Sequence, residues 1–320
     1  MKVKSTIDFR RGSSPFVKRF RKPAATPDVL TVRKLDVQEP ATLLAFLIKS
    51  HPGKGRNAIK SMLSRGQVSV DGRTITAYDW PLQRGSRVEI RMGKPPAPFR
   101  FAGMSILHED ADLIVIRKDA GLLSIATADE KYLTAYRQLS DYVKQSDPRG
   151  RIFVLHRLDR DTSGVMMFAR SERVQQKMQT AWKKMVIERI YVALVEGQVR
   201  QPEGTVESWL KENASLKMYS SKRTGDGLHA VTRFRVLRAG RHYSLLEIRL
   251  DTGRKNQIRV HMHDIGHPIA GDKKYGARTN PIGRLGLHAS VLAFIHPSTG
   301  ELMRFNSELP KSFLQVFKPD

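Results

Sequence analysis

The chain of 320 residues contains no cysteine, which excludes disulfides, thiolate nucleophiles and cysteine-ligated zinc and gives no sign of an oxidising compartment. Acidic side chains are scarce: 31 aspartates and glutamates face 56 lysines and arginines, a formal net charge of +25. No apolar run approaches bilayer length, and Met1 to Gly12 mixes charged and apolar residues where a secretory leader would be continuously apolar. A soluble, cytoplasmic protein with no membrane partner is therefore expected. Gly-rich phosphate loops of the Walker or dinucleotide type are also missing, as is any H-E-x-x-H pattern. His261, His263 and His267 cluster in sequence, but a helix would set the first two roughly 200° apart. Neither a metal nor another cofactor is expected.

What is present points to a polyanion. An excess of positive charge this large attracts nucleic acid through long-range steering and counter-ion release, the ordinary alternative being a basic but merely solvated surface. With 40% apolar residues the chain can bury one large core and a smaller one, so two domains are expected. Residues 1–30 carry Arg10, Arg11, Lys18, Arg19, Arg21 and Lys22 between Ser13, Ser14, Pro15 and Pro23, with no apolar periodicity. They read as a flexible basic arm. Regular patterning runs over 31–93 and is broken by the proline-rich linker 94–99. The rest, 100–320, has no comparable interruption and reads as a single domain.

In the smaller region, Leu43, Leu44, Phe46 and Leu47 suggest one helix face, and a second helix spans about Arg56 to Ser64, ended by Gly66. On that second helix Ile59, Met62 and Leu63 fall on one side and Arg56 and Lys60 on the other, so one face packs and one is free to meet phosphate. Val68 and Val70 then alternate as a strand, Asp71-Gly72 makes a turn, and Arg87 to Ile90 gives another strand. This arrangement, with L-S-R-G-Q-V-S-V-D-G at 63–72 and R-G-S-R-V-E-I after it, resembles the S4-like RNA-binding module of ribosomal proteins over about sixty residues. The resemblance implies RNA contacts from Arg56, Lys60 and Arg65.

The densest cluster of chemistry is His156-Arg157-Leu158-Asp159-Arg160-Asp161-Thr162-Ser163-Gly164, read as a loop between strands at 151–155 and 165–169. A neighbouring arginine favours the charged form of a carboxylate, which suits Asp159 to nucleophilic attack and not to acid catalysis. An isolated aspartate beside arginine is, however, ordinarily structural or a surface ion pair. Tyr191 lies in an alternating strand and, on sequence alone, reads as a core tyrosine. It follows a helix that Ser171 can open and that buries Val174, Met178, Ala181, Trp182 and Met185. Further on, a strand from Tyr243 to Leu250 leads into a helix expected to be capped by Thr252 and ended by Gly266, with Arg254 at its positive N-terminus. A phosphate contact by Arg254 and plain solvation are both open. Lys273, Lys274 and Arg278 form a basic loop with the same two readings.

Three stretches in order, H-R-L-D-R-D-T-S-G at 156–164, E-R-I-Y-V-A-L-V-E-G at 188–197 and L-D-T-G-R-K-N-Q-I-R-V-H-M at 250–262, resemble the motifs of the RluA-type pseudouridine synthases. H-P-I-A-G-D-K-K-Y-G at 267–276 and L-H-A at 287–289 extend the likeness. The resemblance implies a mixed α/β (α+β) pseudouridine synthase domain with a largely antiparallel sheet and a central cleft, acting without cofactor or metal. By it, Asp159 is the catalytic residue, Tyr191 stacks on the target base and is a candidate for proton removal at C5, and Arg259 ion-pairs with Asp159. Arg157 then helps fill the gap left by the extruded base. Asp251 and Asn256 depart from the family pattern, which commonly has Glu and His there. The partner expected is RNA, bound by a monomer. The attached S4-like module leans toward large-subunit ribosomal RNA, with a transfer-RNA enzyme of the same family and a noncatalytic ribosome-assembly protein as alternatives.

Overall fold

A computed structural model of the chain describes residues 31–92 and 99–317, which fall into two compact units, Met1–Pro98 and Phe99–Asp320. The basic arm 1–30 and residues 94–98 of the proline-rich linker lie outside the described residues. In the small unit, β1 (Thr31–Asp36) precedes β2 (Ala41–Thr42), α1 (Leu43–Ser50) and α2 (Arg56–Ser64). Then come β3 (Val68–Val70), β4 (Arg73–Thr74), β5 (Pro81–Leu82) and β6 (Arg87–Met92). Four strands pair in the order β1-β6-β3-β4, while β2 and β5 make a separate pair. Asp71 and Gly72, both at positive φ (48° and 82°), close the β3–β4 hairpin with the left-handed backbone that a two-residue turn requires. Leu43, Leu44 and Leu47 of α1 and Ile59, Met62 and Leu63 of α2 bury against Val68, Val70, Val88 and Ile90. The opposite face of α2 leaves Arg56 and Lys60 in solvent.

The large unit opens with β7 (Met104–Glu109), β8 (Leu113–Lys118), α3 (Ala135–Ser146), β9 (Phe153–Val154) and β10 (Ser163–Ala169). It continues through α4 (Glu172–Thr180), α5 (Trp182–Met185), β11 (Val186–Glu196), β12 (Glu203–Glu212), β13 (Met218–Ser221), β14 (Leu228–Ala239) and β15 (Tyr243–Leu250). Last come α6 (Gln257–Asp264), a 3-10 turn at Lys273–Tyr275, β16 (Leu287–Ile295), β17 (Leu302–Asn306) and α7 (Ser312–Gln315). Its 11-stranded sheet runs β13-β12-β14-β15-β11-β16-β10-β8-β7, with β17 added to β16 and β9 to β10. All named strand pairs are antiparallel except β10 with β16. The expected α+β architecture with an antiparallel-rich sheet is what the chain adopts.

The central strands are apolar on both sides because each side is covered. Ile114 and Ile116 of β8 and Met166 and Phe168 of β10 face Leu139 and Val143 of α3. Their alternating neighbours Leu113, Val115, Val165 and Met167 face Val174 and Met178 of α4. Ser171 caps α4 by accepting from the Val174 N–H at 3.2 Å. In the other half, Ile258 and Met262 of α6 pack on Ala193, Val195, Leu246 and Ile248.

Local expectations differ from the structure in several places. The strand expected at 151–155 shortens to Phe153–Val154, since only that pair reaches the end of β10. Ala181 divides the expected single helix, leaving Ala181 and Trp182 half-buried while Met185 is buried. Thr252 does not cap α6. Its Oγ1 is engaged with the Gln257 side chain at 2.8 Å, and the cap position falls to Asn256, in the left-handed region at φ 53°. Arg254 consequently lies ahead of the helix and outside its first turn, its Nε donating to His229 O at 3.0 Å.

Candidate active site

The 156–164 segment joins β9 to β10, and its backbone is held on both sides of Asp159. Ser124 Oγ donates to Leu158 O at 2.6 Å and accepts from Leu158 N at 3.2 Å. Arg160 O accepts from Lys118 Nζ (2.9 Å) and from Gly121 N (2.9 Å). Lys118 is fully buried, its ammonium also donating to Asp119 O and Leu122 O, and burial lowers its pKa to about 8 against the pull of Asp161 and Asp159. Asp159 O closes a turn by accepting from Thr162 N at 3.1 Å. Gly164, at φ 120°, ends the segment where β10 meets β16: a Cβ there would stand 2.0 Å from Ala289 O. Glycine is required at that contact.

Against this loop the fold brings α6. Arg259 Nη1 donates to Asp159 Oδ2 at 3.0 Å, across 100 residues of sequence. The remainder of the guanidinium is committed elsewhere: Nε and Nη2 grip Asp272 Oδ2 and Oδ1 at 2.6 and 2.9 Å, and its carbon lies 4.9 Å from the Tyr275 ring centroid. Asp272 is 1% exposed, Arg259 15% and Asp159 29%. The exposure gradient makes Asp272 the anchor and leaves Asp159 the member open to a ligand. Burial works to lower the Arg259 pKa, but the hydrogen bonds and charges of Asp272 and then Asp159 outweigh it and hold the group above its ordinary range.

A second donor meets the same oxygen. Asn256 Nδ2 stands 2.6 Å from Asp159 Oδ2, and Tyr275 OH donates to Asn256 Oδ1 at 3.2 Å. The turn carrying Asn256 is fixed through buried Gln257, whose Oε1 accepts from Thr252 Oγ1 and Arg254 N while Nε2 donates to Val231 O and Thr232 Oγ1.

Tyr191 stands on β11 at a bulge: Ile190 pairs with Val291 but Tyr191 with Ala289, and Ser290 donates to Ile190 O at 3.1 Å. Such a slip re-aims a side chain. Burial raises the phenol pKa, and Asp159 adds to that while Arg189 opposes it, so the ring is a neutral surface. A cleft of about 1010 Å³ is lined by Arg157, Asp159, Arg189, Tyr191, Arg254 and Arg259. Its room exceeds a single nucleobase, and its cationic rim suits a phosphodiester chain. Among the described residues no group of side chains is arranged to hold a metal ion. His261 is buried between Ser208 Oγ and Thr232 Oγ1 at 2.9 and 2.8 Å, and burial lowers its pKa to about 4.

Residues 112–264 match the family model described as RNA pseudouridylate synthase. An uncharacterized RNA pseudouridine synthase of Bacillus subtilis, YlyB, is 31% identical over 280 residues, which cover 85% of this chain and 92% of that one. The chain belongs to the RNA pseudouridine synthase family. Ribosomal large subunit pseudouridine synthase D of Haemophilus ducreyi is 30% identical over 295 residues, covering 85% of this chain and 88% of the relative. Among solved structures, human RNA pseudouridylate synthase domain containing 4 aligns with a TM-score of 0.54 and 26% identity, over 66% of this chain and 90% of its own. The protein is thus an isomerase that acts on uridine in RNA.

Of the residues picked out in the sequence of this synthase, Asp159, Tyr191, Arg259, Arg157 and Arg254 share the cleft. Arg56, Lys60 and Arg65 are exposed on the small unit, Lys60 Nζ lying 5.0 Å from the Tyr78 ring centroid and Arg65 Nη2 donating to Ser61 Oγ at 2.6 Å. Asp272, Asn256, Tyr275, Lys118 and Arg189 went unassigned in the sequence. Four of the five fall within stretches that carry the family likeness, Arg189 at 188–197, Asn256 at 250–262, and Asp272 and Tyr275 at 267–276; Lys118 lies outside them. Lys273 and Lys274 follow Asp272 as exposed residues, Lys274 Nζ reaching Leu216 O at 3.3 Å.

Proposed function

We propose that this synthase converts uridine to pseudouridine in large-subunit ribosomal RNA, with Asp159 as its nucleophile. The observation that supports the role of Asp159 most directly is its pairing with Arg259 at the cleft: a carboxylate paired, oriented and still partly open is what attack on a nucleotide needs. The RNA presents one uridine extruded from its stack, at a cost of roughly a few kcal/mol. Tyr191 packs on the flipped uracil and Arg157 fills the space it vacates. Asp159 bonds to the nucleotide at C6 of the base or C1′ of the sugar, the glycosidic bond breaks, and the uracil turns while held. C5 then bonds to C1′. The Asp159 carboxylate is released once more, and the C5 proton passes to it or to Tyr191, the two groups that face the base. The α2 face and the S4-like unit that carries it bind RNA electrostatically, and the protein acts as a monomer without a metal.

The ribosomal target is supported by the large-subunit enzyme among the relatives and by the added basic unit. Purified protein incubated with unmodified large-subunit ribosomal RNA and, separately, with unmodified transfer RNA tests it, with pseudouridine mapped by carbodiimide labelling. Product in ribosomal RNA alone is the expected result; product confined to transfer RNA overturns the target. Asp159→Asn should bind the RNA within about twofold of wild type and release tritium from C5-labelled uridine at least ~10⁴-fold more slowly. Wild-type release by that variant overturns the nucleophile.

A further inference from the structure

Asp159 receives both of its described donors on one oxygen: Asn256 Nδ2 and Arg259 Nη1 converge on Oδ2, and no donor among the described residues meets Oδ1. We infer that Asn256 is a positioning residue that locks the Asp159 carboxylate through Oδ2, leaving Oδ1 as the oxygen that bonds to the target nucleotide. The inference deepens the reading of Asp159 as nucleophile and rests on it.

The amide orientation follows from the hydrogen bonds around it. A carboxylate only accepts, so the group facing Asp159 must be the amide NH₂. Tyr275 fixes the other end. Its hydroxyl oxygen accepts from the Met218 N–H at 3.2 Å, which directs the hydroxyl proton toward Asn256 Oδ1. Tyr275 is 1% exposed and also lies under the Arg259 guanidinium, so one buried ring supports both donors. Asn256 itself sits at φ 53° and ψ 20°, a backbone state that asparagine, aspartate and glycine accept and other residues resist. Its carbonyl receives the first bond of α6 from Val260 N at 3.0 Å. Position 256 therefore carries both a backbone requirement and a side-chain contact, and substitutions can separate them.

Asn256→Gly keeps the left-handed turn and deletes the amide. Asn256→Asp keeps the turn and the shape, but replaces the donor by a second carboxylate. If position 256 matters only for the turn, both variants behave as wild type. If the amide holds Asp159, the single-turnover rate at saturating RNA falls about ten- to a hundredfold in Asn256→Gly, the effect of losing a hydrogen bond to a charged group. RNA affinity should stay within about twofold, and the melting temperature close to wild type. In Asn256→Asp the acid limb of the rate profile also moves to higher pH, because a like charge beside Asp159 disfavours its ionised form.

Wild-type rates and an unmoved acid limb in both variants overturn the inference. Asp159→Asn is run on the same RNA to keep the two conclusions apart. An inactive Asp159→Asn with a fully active Asn256→Gly rejects the positioning role alone, whereas a fully active Asp159→Asn rejects the nucleophile and the positioning role together.

Discussion

The same kind of side chain is used in opposite ways in the two units. On α2 the cations Arg56 and Lys60 stand in water on the face opposite Ile59, Met62 and Leu63, each free to lend its charge to whatever polyanion arrives. In the cleft, Arg259 is mostly buried, clamped by Asp272, stacked on Tyr275 and left with one direction in which to act, toward Asp159. An exposed cation is screened within about 10 Å at ordinary salt and gives affinity without geometry. A buried, doubly paired one is costly to form but fixes the position of its partner. Net charge announces the first use and is silent about the second.

The comparison breaks most visibly at Arg259. Arg259→Ala strips Asp272 of its partner in a site 1% exposed, so it should destabilise the fold by about 3 kcal/mol and cut turnover about 10²–10³-fold, as loss of a preorganised charge contact does. Adding Asp272→Asn removes the stranded charge. The double variant should regain much of the lost stability, seen as a higher urea midpoint than Arg259→Ala, while turnover stays low. A double variant as active as wild type would show that the guanidinium is scaffolding for Asp272 and nothing more.

Part of this site was legible in the sequence and part was not, for physical reasons. The segment 156–164 and helix 56–64 are marked locally, by turn residues in one case and by a polar and an apolar face in the other. Thr252, a good capping residue by type, does not open α6 because it spends its hydroxyl on Gln257. That choice is made by contact with β14, which Gln257 reaches through Val231 and Thr232. Asp272, Asn256 and Lys118 owe their importance to partners 13, 97 and 42 residues away. No periodicity or spacing records such pairings. The family likeness carried Arg259 across that gap, and Asn256 was visible only as a departure from it.

Histidine sharpens the contrast between hidden and exposed charge. Burial, reinforced by Arg189, lowers the His156 pKa to about 3, and burial, partly offset by Asp264, lowers that of His261 to about 4. Both are neutral in the folded protein at pH 5, yet in the unfolded chain they take up protons below pH 6.5. Their contribution to stability is intact above that value and is lost as pH falls toward the folded values, at about 1.4 kcal/mol per pH unit for each. Urea unfolding at pH 7 and pH 5 should show a fall on the order of 2–4 kcal/mol. His261→Gln should flatten this dependence by about half. An unchanged pH slope in that variant would assign the dependence to other groups.

The smallest effect is expected where the charge is freest. Lys60 is exposed and, among the described residues, lies over the face of Tyr78, so Lys60→Ala should leave folding and the single-turnover rate at saturating RNA unchanged. Affinity should drop a few-fold at low salt, and the slope of log affinity against log salt should decrease by about one, the signature of a lost phosphate contact. Arg259→Ala should show the reverse pattern, a collapsed rate with little change in that slope. Measuring binding at several salt concentrations beside turnover for both variants therefore tests the division itself. A Lys60→Ala protein that binds with an undiminished salt slope would remove α2 from the RNA-binding surface and leave the cationic rim of the cleft to carry the RNA alone.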